Sequence, residues 1–123
     1  MDQITRTHFE NKEILVVDYS NSDEAGMIDI VTRAKIIIAA EPNPVLILSL
    51  FHEKNYITSA FMRHLETSLK EVEHHIDKSA VVGLSKVKVW ILKGLNLILK
   101  KDIQPFNTVD EALRFLAKDE TVD

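Results

Sequence analysis

The sequence predicts an α/β fold in which strands and helices alternate after an opening β-hairpin, in the order ββαβαβαβα. Three observations carry this expectation. The apolar runs at 45–50 and 80–82 are continuous rather than alternating, as in strands covered on both faces. Stretches of helical period stand between the runs, and repeated β-α-β units build a largely parallel sheet with right-handed crossovers. Residues 4–18 alternate around a short polar turn, which places an antiparallel hairpin at one edge.

Taken in order, Ile4-Thr-Arg-Thr-His-Phe9 alternates, Glu10-Asn11-Lys12 supplies the turn, and residues 13–18 read as the second strand. His8 sits where a half-exposed strand ordinarily carries a polar residue. The loop at 19–24 offers two helix starts, Ser22 as N-cap or Asn21 with Glu24 as a capping box. Met27, Val31, Ala34 and Ile38 form the inward stripe of the helix that follows, and Pro42 and Pro44 stop it. After the buried run at 45–50 and a polar loop, Phe61, Leu65, Leu69, Val72 and Ile76 define a second helix, with Glu66 and Lys70 paired on its solvent side. Residues 86–101 make the third helix. Residues 103–106 make a short strand whose Pro105 suits an edge, and 107–111 read as the cap of a final helix packed through Ala112, Leu113, Phe115 and Leu116.

The 123 residues suit one domain, 1–123, able to bury about 65% of its unfolded surface without staples. The chain has no cysteine, so disulfides and thiolate chemistry are excluded. An apolar fraction of 46% with only 3 Gly and 3 Pro describes an ordered globular chain. Its first residues lack the apolar core of a signal peptide, and no apolar run approaches the ~18 residues of a membrane span. A cytoplasmic protein is the default expectation.

Charge is distributed unevenly. Between Asp77 and Asp102 there is no acidic residue but six lysines, at 78, 86, 88, 93, 100 and 101. The rest of the chain holds nine basic residues against 19 acidic ones, a net of −10. Lys86 and Lys88 fall in the first turn of their helix, where the macrodipole disfavours cations by about 0.3–1 kcal/mol each. Stability alone would not select them. Gly83, Ser85 as N-cap, Lys86 and Lys88 together suggest an anion site at a helix start, although solvated surface lysines are the plainer reading and no glycine-rich phosphate loop is present.

The same helix is apolar over an arc of about 220°, twice what a one-sided surface helix needs. Something besides the sheet is therefore expected to cover Trp90 and Leu97, with Trp90 turned inward. A neighbouring helix, a subunit contact or an apolar ligand would each serve. Gly94 costs about 1 kcal/mol inside a helix, which a close backbone contact would explain. In open sheets of this kind ligands lie beyond the carboxyl ends of the strands. That rule places the 52–59 loop and the 83–88 turn on one edge.

Over about residues 13–118, the Ala80-Val-Val-Gly-Leu-Ser85 strand-turn, the long apolar helix and the closing Asp102-Ile-Gln-Pro-Phe-Asn-Thr-Val-Asp-Glu-Ala-Leu-Arg-Phe-Leu116 resemble the small bacterial SpoIIAA-like proteins grouped with STAS and CRAL-TRIO-type lipid-binding domains. The resemblance implies a four- to five-stranded sheet with helices mainly on one face, frequent dimerisation and no established enzymatic activity. In one branch of that superfamily a phosphorylatable serine opens the helix after the central strand. Ser59 matches that position, but Thr58 replaces the family's Asp, and Ala60 and Phe61 replace its Ser-Gly. Helix capping by Thr58 and Ser59 is the alternative.

No catalytic or metal-binding constellation is legible. The adjacent His74 and His75 diverge by about 100° on a helix and cannot grip one metal, and no HExxH or serine elbow occurs. No cofactor is expected. Nucleic acid is an unfavoured partner, because the chain is acidic and no aromatic ladder alternates with the lysines. Two functions remain. One is a non-catalytic STAS-like regulatory or protein-interaction module, a homodimer that meets its partner through the 83–88 and 52–59 edge. The other is a carrier of a lipid or other anionic amphiphile, with Lys86 or Lys88 meeting the head group and Trp90 beside the ligand.

Overall fold

A computed structural model describes residues 3–99 and 102–118, with all of their side chains except those of 86, 87 and 98. The chain forms five strands, β1 (Ile4–Phe9), β2 (Lys12–Asp18), β3 (Val45–Leu50), β4 (Ile76–Val82) and β5 (Ile103–Phe106). Four helices accompany them, α1 (Glu24–Ala40), α2 (Ser59–Val72), α3 (Lys86–Leu99) and α4 (Val109–Ala117). The expected α/β order is present.

The strands lie in chain order, β1-β2-β3-β4-β5, with β1 antiparallel to β2 and the others parallel. Glu10 and Asn11 both take positive φ, 47° and 68°, and close the hairpin as a two-residue turn of the hand that matches strand twist. Each crossover advances the sheet by one place in the same direction. With one handedness throughout, α1, α2 and α3 must fall on one face.

Strand alternation decides which side chains meet them. Leu15, Val17 and Ile47 join α1 and α2 in one core, while Val81 and Ile103 join Leu92, Leu95 and Leu99 of α3 in another. The neighbouring positions Ile14, Leu46, Leu48 and Ala80 face the other way and are covered by Ala112 and Leu116 of α4. Pro105 lies on the edge strand, as its missing N–H requires.

Three boundaries differ from the sequence expectation. Asp23, rather than Ser22 or the Asn21 box, caps α1, its carboxylate accepting from Gly26 N at 2.9 Å. The stripe through Ile76 does not continue: α2 ends at Val72, a 3₁₀ turn follows at Glu73–His75, and Ile76 begins β4. Pairing of Val45 with Ile76, followed by a register shift, takes the chain out of the helix. Strand β4 thus begins four residues before the apolar run. Its polar residue Lys78 is turned toward α4, where its ammonium donates to the carbonyls of Phe115 (3.2 Å) and Lys118.

Candidate functional site

The carboxyl ends of β2, β3 and β4 lie side by side, and their loops are tied together there. Tyr19 N donates to Leu50 O and Phe51 N to Val82 O, both at 2.8 Å. Asn55, only 6% exposed, spans two loops. Its amide Nδ2 donates to the carbonyls of Tyr19 and Ser22, each at 3.2 Å, and its Oδ1 accepts from His52 N at 2.7 Å. Such a buried amide is stable only because its donors and acceptor are matched.

The 83–88 turn joins the same edge, as the topology led one to expect. Gly83 has φ of +95° and runs against Phe51, so close that a Cβ there would lie 1.8 Å from the Phe51 carbonyl oxygen. The tight approach is to this chain's own backbone, not to a partner. Ser85 precedes α3, its carbonyl accepting from Val89 N at 3.1 Å and its hydroxyl lying 3.5 Å from Lys88 N. Lys88 reaches across to the β3–α2 loop, where its ammonium donates to Glu53 O at 2.7 Å and to Asn55 O. Two of its three N–H donors are so used, and the contacts are carbonyls that leave the charge intact. The side chain of Lys86 lies outside the described residues.

Between the sheet, α2 and α3 there is a cavity of about 90 Å³. It exists because α1 packs along α2 while α3 stands off from it. The walls are apolar, from Phe61, Met62 and Leu65 of α2, Val81 and Ile103 of the sheet, and Ile91, Leu92 and Leu95 of α3. Lys88 and Leu84 lie at its loop end. Small strand residues make the room: Ser49 on β3 and Ser79 on β4 stand where larger apolar side chains would close the gap. Tyr19 (5% exposed) and Ser68 (3%) complete a set of four hydroxyls on the lining. Among the described residues none of the four hydroxyls is a fully enclosed oxygen left without a partner. Burial pushes the Tyr19 phenol well above its ordinary value of 10.0, and its ring stacks on Phe51 at 4.6 Å.

Trp90 corrects an expectation. It is 73% exposed rather than inward, and Leu97 is 83% exposed; no other element covers them among the described residues, whereas Leu92 and Leu99 are buried. A Cβ at Gly94 would meet nothing within 4 Å, so that glycine is not explained by a close contact with the described residues. The cavity lies under the opposite side of α3, and Trp90 and Leu97 do not line it.

Thr58 is the N-cap of α2, its hydroxyl accepting from Phe61 N at 3.1 Å, and Ser59 is the exposed first residue of that helix. Among the described residues no group of three or more His, Asp or Glu side chains could hold a metal ion. No helix there is long and apolar enough to cross a membrane. Sequence reasoning named the loop edge and offered an apolar cavity against α3, but it put Trp90 beside that cavity and missed Asn55; Ser49, a hydroxyl inside an otherwise apolar run, was a signal for the cavity's true side.

Fold and site define the class: an α/β protein with a mixed five-stranded sheet, an apolar cavity on its three-helix face and a lysine at the cavity's loop end. No family model matches the chain, and no curated protein matches it.

Proposed function

We propose that the chain is a non-catalytic STAS-like binding module that takes a small amphiphile into the cavity beneath α3. The lining carries this reading: apolar walls interrupted by four hydroxyl-bearing side chains, with a lysine at one end. An apolar body would displace poorly held water from such walls, and an acceptor on the ligand would take a hydrogen bond from a lining hydroxyl. An anionic group would meet the remaining N–H of Lys88. The STAS-like assignment rests on the residue resemblance and is supported by the sheet and by the three helices gathered on one face.

Mass spectrometry under native and then denaturing conditions tests this. An added mass that denaturation releases is expected. Ser79→Val, which fills the cavity with an apolar side chain at a strand position, should lose that mass while raising stability by about 0.5–2 kcal/mol. A folded Ser79→Val protein that keeps the mass would overturn the cavity as the binding site.

Open space beside Gly94, between Trp90 and Leu97, favours a second reading, a homodimeric regulatory module assembled through α3. A phosphorylatable Ser59, exposed at the start of α2, would belong to that reading. It predicts twice the chain mass and nothing bound.

A further inference from the structure

The outer face of α3 exposes two large apolar side chains that the cavity does not use. Trp90 and Leu97 are seven residues apart, so they lie on one side of the helix, and they are 73% and 83% exposed. Lys93 stands between them, its ammonium 5.0 Å from the centre of the Trp90 ring. In the sequence lysine recurs at 86, 93 and 100, again at intervals of seven, with another at 101. An exposed tryptophan and leucine flanking a lysine, in a segment whose only charged residues are lysines, is the composition of a helix that lies in a membrane interface. There the rings and branched chains enter the acyl boundary, and the lysines reach up to lipid phosphates.

We infer that α3 docks the protein on an anionic lipid surface, lying flat with Trp90 and Leu97 inserted. Its 14 residues give about 21 Å of helix for the contact. Charge favours lipid over a second copy of the chain. A two-fold contact centred near Lys93 and Gly94 would set Lys93 against Lys93, and the sequence from 78 to 101 holds no acidic residue to offset that charge. An anionic bilayer presents the opposite charge to Lys93 and to this lysine-only segment. The acidic remainder, net −10, turns the rest of the molecule away from such a surface and so orients it. Filling of the cavity is not required: docking uses the other side of α3 and stands or falls separately.

The chain has a single tryptophan, which makes Trp90 its own probe. Its emission should shift to the blue with vesicles of phosphatidylcholine plus phosphatidylglycerol and stay unchanged with phosphatidylcholine alone. Lipids brominated on the acyl chains should quench it, and salt should reverse the binding. Lys93→Glu and Leu97→Glu, both at exposed positions that leave thermal melting unchanged, should each weaken binding to the anionic vesicles at least about fivefold. An emission indifferent to anionic vesicles would overturn the inference. So would an emission already blue-shifted without lipid that moves with protein concentration, since that places a second copy on α3.

Discussion

At Gly83 two constraints coincide, a φ of +95° and a backbone carbonyl 1.8 Å from where a Cβ would stand. Either alone favours glycine; together they leave no accommodation short of moving the Phe51 strand end. Gly83→Ala should therefore destabilise by about 3 kcal/mol or more, read from urea unfolding, because left-handed strain adds to the displacement of β3 from β4. Tyr19 offers a second residue-scale test. Its raised folded-state pKa means that the native state holds the phenolic proton more tightly than the unfolded chain does. The stability this contributes is whole below pH 10 and is lost as pH rises above that value. The loss of stability between neutral and strongly alkaline pH should be smaller in Tyr19→Phe than in the parent, measured by denaturant midpoints across that range.

Among the helices, α3 differs from its neighbours in how it is held. The other three have side-chain caps, from Asp23, Thr58 and Thr108, whereas Ser85 makes only a long contact to the first turn of α3. Its ends are fastened instead by side-chain bonds to other segments: Lys88 to the β3–α2 loop, and Asn96 to both backbone groups of Ile103 at 2.9 and 3.0 Å. The middle is free to carry an open glycine. Gly94→Ala should stabilise the isolated chain by about 1 kcal/mol, since the new methyl meets nothing and helix propensity rises. Thermal melting of dilute protein checks this. A loss of stability or of a native dimer would instead place a second chain against Gly94.

Across the whole molecule, α3 separates two environments, the cavity on its inner side and the exposed face of Trp90 and Leu97, proposed to meet lipid, on its outer side. The inner side should respond to ligand by mass action: a bound amphiphile should raise the melting temperature of the parent and leave Ser79→Val unmoved. The outer side should respond to salt and lipid charge. Melting with and without ligand, and vesicle binding with and without salt, therefore report on the two faces independently.

Element types and their order were legible from local pattern, because burial on both faces leaves continuous apolar runs and helix packing leaves a period near 3.6. The Asn11 turn, the edge position of Pro105 and the meeting of the 52–59 and 83–88 segments followed from the same local chemistry and topology. Nearest-neighbour competition defeated it at Ile76, where apolar spacing continued the helix but pairing with Val45 began a strand. The cap of α1 slipped by one residue for a related reason, since Ser22 and Asp23 are both competent acceptors and only the path of the entering chain selects one. Charge distribution and the excess apolar surface of α3 are properties of sequence alone. Which part of that surface is covered, that Gly94 faces open space, and that Ser49, Ser68, Ser79 and Tyr19 converge on one cavity were decided only by tertiary structure, because each depends on the distance between elements far apart in the chain.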